Sequence, residues 1–437
     1  MSTSTNRRNH KMKNLEDFFT LQKPWEVEGV KWREVRLGDF LEIVYRYPNF
    51  YGFTYVDNGV PILRGELIKD KGEVENDLEK YKKIPLEISQ KYPKTILRRG
   101  DLVITVRGTL GKIAYITPEQ EEWQISPNLI RISPMTHKLE SKFLFWFLTY
   151  LFNFYRDFSA VIPRLKASTI KNLKISLPFR NGKPDLETQK KIVEYIEANF
   201  SKIDKILEKK KKELEKLDEL WESVLEQAFK LKEGEEWREV KLRDIAKEIK
   251  SGGTPSRKNK KYWENGTIPW VKIQDISEEG YVNDTEEKIT EKGLSNSSAK
   301  LLPKGTILFT IFATIGRVGI LNIDAATNQA IAGIIPKKDY DRKYLYWVLR
   351  KFGEELTQKG RGGAQNNVNL TFLKNLRISI PFRDNQPDIE KQKEIANYLD
   401  SVYEKIKTLK EKNQNQIAQL EEMKESILDE MFNHENK

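Results

Sequence analysis

Side chains that pair with nucleobase edges and phosphates are grouped in this 437-residue chain into a few short, glycine-punctuated stretches. One is Ser251-Gly-Gly-Thr254-Pro-Ser-Arg257, which runs into Lys258, Lys260, Lys261, Tyr262 and Trp263, then Lys272 and Gln274. Small residues let backbone N–H groups approach a phosphate, and lysines supply the counter-charge. A second stretch holds Thr314 and Arg317. A third, from Lys359 to Asn367, holds Arg361, Gln365 and Asn366. Arg and Gln/Asn are the side chains that make paired hydrogen bonds to guanine and adenine. In the first half of the chain the corresponding places hold Arg107, Thr109, Lys112, Arg164 and Lys166. Together with Ser251 and Thr254 these form the candidate DNA-binding set, although any one alone fits an ordinary exposed loop residue.

Catalytic chemistry is poorly supplied. The chain has no cysteine, which excludes disulfides, thiolate zinc sites and cysteine nucleophiles and fits a reducing cytoplasm. Its three histidines, His10, His137 and His434, are too scattered for a metal cluster or a Ser–His pair. No phosphate loop and no dinucleotide-binding glycine pattern occurs. Pro184-Asp185 followed by Glu208-Lys209-Lys210 imitates a nuclease spacing. Asp185 stands at a predicted helix start and Glu208 on the same helix, roughly 35 Å away by helical rise, so the two cannot share a metal. Neither a catalytic residue nor a metal ligand nor a cofactor is assigned to this chain.

The elements that position these residues are written twice. Trp32-Arg-Glu-Val-Arg-Leu-Gly-Asp-Phe40 recurs as Trp237-Arg-Glu-Val-Lys-Leu-Arg-Asp-Ile245, and Gly100-Asp-Leu-Val-Ile-Thr105 as Gly305-Thr-Ile-Leu-Phe-Thr310, both 205 positions on. Lys171 to Asp185 matches Lys374 to Asp388 with 10 identities in 15, now 203 apart; around Pro61 and Pro269 the offset is 208. Offsets that drift in the middle mean variable loops on a duplicated scaffold. Leu102–Val106 and Ile307–Ile311 read as buried strands followed by glycine turns. Helices are expected over Phe143–Phe154 and Tyr344–Phe352.

Each repeat ends in a long helix that starts at Asp185 or Asp388, where the carboxylate can cap free N–H groups. The first carries a heptad stripe with Val193, Phe200, Leu207 and Trp221 in one row and Ile196, Ile203, Leu217 and Val224 in the other. The second carries Leu399, Ile406, Leu420 and Ile427 with Val402 and Leu409. Two such stripes in one chain predict a coiled coil. The globe–helix–globe–helix order favours an antiparallel one, with Val193 near Ile427. The expected division is a flexible arm at 1–24, globes at 25–184 and 233–387, and helices at 185–232 and 388–433. The fold class is α+β: two pseudo-symmetric α/β domains separated by two long antiparallel helices.

Charge follows the same division. The net +11 arises as +10 over residues 1–184 and +9 over 237–387, while 185–236 and 388–437 carry −4 each. A polyanion contacted in two places suits this layout, and so does a generally lysine-rich proteome. With 38% hydrophobic and 11% aromatic residues the chain can build real cores. Its longest apolar run, Phe143 to Phe154, is too short to span a bilayer.

Taken together, Ser251-Gly-Gly-Thr-Pro-Ser256 with Tyr262-Trp263 and Ile268-Pro-Trp270, the strand–glycine turn at Gly305–Gly316, the Pro-Phe lead into Pro-Asp, the long helix and their duplication resemble the specificity subunit of type I restriction–modification systems. The first half departs from the pattern, with Tyr45-Arg-Tyr-Pro48 and Gly59-Val-Pro-Ile-Leu-Arg64 where the second has the Ser-Gly-Gly-Thr loop. The resemblance implies two target-recognition domains on double-stranded DNA, each reading half of a split asymmetric site. It implies a paired-helix ruler and docking of two adenine-methyltransferase subunits and, through them, restriction subunits. S-adenosylmethionine, ATP and magnesium would belong to those partners. A basic coiled-coil adaptor for RNA or acidic proteins, and a self-contained nuclease, are the competing readings.

Overall fold

The computed structural model describes residues 25–46, 54–75, 77–108, 110–154, 165–230, 234–277, 279–360 and 368–433. The expected arm at 1–24 and the candidates Thr109, Arg164, Arg361, Gln365 and Asn366 lie outside them. The chain divides into two compact units, Met1–Lys211 with Gln414–Lys437, and Lys212–Asn413. Each long helix contributes to both units. The divisions fall beside Lys210, Asn413 and Gln416, where the apolar stripes are interrupted.

The first unit centres on an antiparallel sheet ordered Leu41–Arg46, Leu129–Pro134, Leu102–Thr105, Ile113–Tyr115. Leu102–Thr105 is buried at every residue, as a strand covered on both faces requires. In the second unit the order is Ala246–Ser251, Ile331–Pro336, Ile307–Thr310, Val318–Leu321, with Tyr281–Val282 added in parallel at the edge. The first strands carry equivalent bulges, at Leu41/Ile43 and at Ala246/Glu248.

A second pairing leads into each helix. Lys31–Arg36 lies antiparallel to Lys174–Arg180, and Glu236–Lys241 to Arg377–Arg383, with Trp32 opposite Pro178 and Trp237 opposite Pro381. The chain then enters Leu186–Ala228 or Ile389–Phe432. Asp185 accepts from the N–H groups of Glu187 and Thr188 and from Arg180 at 2.9 Å. Asp388 accepts from the N–H of Lys391 at 3.0 Å and pairs with Arg383 at 2.7 Å. These are helix caps, and each satisfies N–H groups with no partner inside the helix. Burial pulls the Asp185 carboxyl up, yet the bonds from Arg180 and Thr188 outweigh it and leave it below its ordinary value.

One turn into each helix a fully buried glutamine joins it to its globe. The Gln189 side chain accepts from the Glu140 N–H at 2.8 Å, and the Gln392 side chain from the Asp341 N–H at 2.8 Å. Glu140 and Asp341 in turn cap Phe143 and Tyr344. The helix expected over Phe143–Phe154 is α-helical only over Ser141–Thr149 and closes with a π turn, Tyr150–Phe154. Its counterpart runs farther than expected, Arg342–Gly360. Gly353 within it lies against Gly316, where a Cβ would meet the Gly316 carbonyl oxygen at 2.0 Å, so close packing requires glycine there.

In the first unit Val193, Ile196, Ile203 and Leu207 share a buried cluster with Leu420 and Ile427. Lys424 pairs with Asp204 and lies 5.0 Å over the Phe200 ring. In the second unit Leu399 and Ile406 are buried with Trp221, and Leu217, Val224 and Val402 pack against them. There Asp218 meets Lys410 while Trp221 meets Tyr403 at 5.2 Å, so numbers rise on one helix as they fall on the other. Leu409 departs from its expected place in the seam: it is 49% exposed. A straight helix drifts about 20° per heptad against a strict seven-residue repeat. Leu409 stands beside the Asn413–Gln416 interruption, where little apolar surface draws it back.

Candidate nucleic-acid interface

The sheets present two equivalent turns. In the first unit Thr105 is buried, and its hydroxyl accepts from the Lys112 N–H at 2.9 Å. In the second, Thr310 is buried and accepts from the Arg317 N–H at 2.8 Å. The turn closes with Gly111 N–H to Thr105 O at 3.1 Å and Gly316 N–H to Thr310 O at 3.0 Å. Near the tip the backbone must go left-handed. Gly108 does so at φ 78°, and Ala313 occupies the same place at φ 62°, a conformation that strains a Cβ. Arg107 and Thr314 are exposed on these turns. Phe312, which repeats the position of Arg107, is 47% exposed.

The cations at the foot of the turns face inward. Lys112 Nζ donates to the Ile68 carbonyl at 3.0 Å, and the Arg317 guanidinium donates to the Ile276 carbonyl. Both were candidates for DNA contact. Here each one pins the segment at Ile68 or Ile276 behind the turn.

The Ser-Gly-Gly-Thr stretch follows the strand Ala246–Ser251. A Cβ on Gly252 would meet Thr327 Oγ1 at 2.1 Å, and one on Gly253 would meet Ser298 Oγ at 2.1 Å, so glycine here serves close packing. Trp270 donates its indole N–H to the Gly253 carbonyl at 2.9 Å, and Thr254 bonds Gln329. Arg257 lies 3.7 Å over the Trp263 ring and pairs with Glu287 at 2.6 Å. Lys272 and Gln274 both converge on Glu286, at 2.5 and 2.7 Å. The bond from Lys272 holds the Glu286 carboxyl below its ordinary value and raises the Lys272 ammonium in return.

Of the described candidates, Arg107, Lys166, Gln274 and Thr314 are exposed, while Lys112, Ser251, Thr254, Lys272 and Arg317 are half-buried. The structure brings Arg107 with Lys112, and Thr314 with Arg317, to single turns. Sequence reasoning missed Glu286, which bonds two of the candidates, and Phe312. Pairing Phe312 with Arg107 through the 205-residue offset would have found the latter. Among the described residues no group of three or more His, Asp or Glu could hold a metal, and no helix is long and apolar enough to cross a membrane.

Comparison with known proteins agrees with this doubled arrangement. The type I restriction modification DNA specificity domain matches twice, over residues 29–216 and 234–419. The type I restriction enzyme MjaIX specificity subunit of Methanocaldococcus jannaschii is 34% identical over 198 residues; the match spans 44% of this chain and only 44% of that relative's length. A chain solved in a study of complex assembly and conformational transition of the type I R-M system is 22% identical with a TM-score of 0.71, over 91% of this chain and 96% of that one. The HsdS subunit from Thermoanaerobacter tengcongensis is 22% identical with a TM-score of 0.58, over 93% and 97%. At that identity the two structures speak for the fold, and they share this α+β architecture. The repeated sequence, the repeated turn and the two domain matches have one explanation: this chain belongs to the type I restriction modification DNA specificity domain family and carries that domain in tandem.

Proposed function

We propose that this chain is the specificity subunit of a type I restriction–modification complex. In this reading each unit recognises one half of a split, asymmetric site on double-stranded DNA. The observation that carries it is the pair of equivalent turns on two DNA specificity domains, each exposing a different side-chain set. Two unlike readers in one chain suit a two-part site with unlike halves. Contacts to phosphate set register, and contacts to base edges set sequence. Tethering makes the second binding event intramolecular, so two weak readers suffice.

Arg107, Lys166 and Thr314 are the described candidates best exposed to touch DNA. Ser251, Thr254, Lys272 and Gln274 shape the second reader's surface. Lys112 and Arg317 act one step back, by holding the loops beneath the turns. Thr109, Arg164, Arg361, Gln365 and Asn366 keep their sequence-based assignment to DNA contact. The chain has no catalytic centre of its own in this reading. Two adenine-methyltransferase subunits dock on it, restriction subunits join through them, and S-adenosylmethionine, ATP and magnesium bind those partners in the cytoplasm.

The decisive experiment is to map methylated adenines in DNA from cells expressing this chain with its methyltransferase partner. The expected result is one two-part motif with a spacer of constant length. Methylation without any sequence preference would reject the proposal.

A further inference from the structure

We infer that the ion pairs Lys71–Asp204 and Glu279–Lys407 are one latch, written twice with its charges inverted, that fixes the loop beneath each reading turn on the long helix of the same unit. The distances are 2.8 and 2.5 Å. Lys71 and Glu279 are 208 positions apart, the offset that also relates Pro61 to Pro269. Asp204 and Lys407 are 203 apart, the offset that relates the two helix starts.

The surroundings confirm that the two contacts occupy the same place. Each loop is held from the turn side by a cation on a carbonyl, Lys112 on Ile68 and Arg317 on Ile276. Each ends in a left-handed glycine, Gly72 at φ 78° and Gly280 at φ 79°. A Cβ there would meet the Phe145 ring at 2.4 Å, or the Tyr346 hydroxyl at 2.2 Å. The loop is thus gripped by the turn, by the globe's aromatic helix and by the long helix, with the latch as the third grip.

The inversion says what the contact is for. Reversing one end alone would have set like charges together, so both ends have changed and the contact has stayed. Lys71 is therefore not retained as a phosphate-binding cation, since its counterpart is a carboxylate. Lys71 and Asp204 are 60% and 27% exposed, and Glu279 and Lys407 are 43% and 29% exposed. Ion pairs this exposed stabilise a fold little. Their value lies in geometry: the loop sits between the turn and the helix, so its anchoring decides where the turn points. The latch residues are positioning residues, and this role rests on the DNA-reading function proposed above.

The test uses the full-length chain co-expressed with its methyltransferase, with genome-wide adenine methylation and thermal melting as paired readouts. Glu279→Lys and Lys407→Glu should each reduce methylation at wild-type sites about tenfold, since small misplacements are costly in an ordered complex. The loss should come through the second half-site or the spacer. Melting should move by less than about 3 °C, as for an exposed pair. The double variant Glu279→Lys/Lys407→Glu, which gives the second unit the first unit's polarity, should return methylation to within about twofold of wild type, because opposite charges again face each other. Lys71→Glu should act in the same way on the first half-site. Wild-type methylation in the single variants, or a double variant no better than they are, would overturn the latch. Should a reversal melt the fold, Glu279→Gln removes only the charge, and undiminished methylation there would overturn it equally. If the wild-type chain gives no two-part site at all, the underlying function fails and the latch with it.

Discussion

Arg107 and Phe312 stand at the same place in the two turns and offer different chemistry. A guanidinium attracts phosphate and is screened by salt, whereas an aromatic ring makes apolar contact with a base edge, such as a thymine methyl, and is not. Arg107→Ala should weaken binding to a duplex carrying the mapped site and reduce the slope of log K against log salt by about 1. Phe312→Ala should weaken binding with the slope unchanged. Fluorescence anisotropy across a salt series distinguishes the two, and equal slope changes would reject the division of labour. Other unlike residues support the sheets from within. Fully buried Arg131 donates to Asp101 at 2.6 Å, and Ser133 donates to the same carboxylate at 2.5 Å. The repeat places Thr306 where Asp101 stands, and the strand register sets Gly333 opposite Leu308 as Arg131 is set opposite Val103, so neither partner of this ion pair recurs in the second unit.

At the scale of elements, the long helices are tied to their globes by the same devices in both units: a capping aspartate paired with an arginine, a buried glutamine, and the loop latch. The latch has a pH signature. The hydrogen bond from Lys407, helped by Glu279's own backbone N–H and by Ser277, holds the Glu279 carboxyl down to about 2 from the usual 4.5. A carboxyl lowered in the folded state stabilises it above the unfolded value, and this contribution disappears as pH falls through the folded value. The melting difference between wild type and Glu279→Gln should therefore be constant above about pH 5 and vanish on acidification towards pH 2. A difference that grows in acid would contradict the pairing. In the first unit burial works against Asp204, but its bonds from Lys424 and Lys71 prevail and leave it below its ordinary value.

For the whole molecule, the proposed function makes the helices a ruler as well as a scaffold. They run for 43 and 44 residues. Deleting one heptad from the middle of each removes roughly 10 Å of helix, or about 3 base pairs of duplex. The methylated motif should keep both half-site sequences and lose spacer. Unchanged spacing in the methylation map would reject the ruler.

The doubled architecture is legible in the sequence because duplication leaves matching residues at constant offsets, and because burial forces apolar residues into periods of two and of 3.5. The caps at Asp185 and Asp388 and the buried strands at Leu102 and Ile307 follow from such local rules. What a side chain touches across hundreds of positions does not. The occupation of Lys112 and Arg317 by carbonyls, the capture of Lys272 and Gln274 by Glu286, the π turn at Tyr150 and the outward rotation of Leu409 depend on packing between segments distant in sequence. The chain's pattern determines which surfaces must be buried and that there are two copies of them. Only the folded contacts decide which protein groups each candidate cation meets, since those neighbours come from segments far apart in sequence.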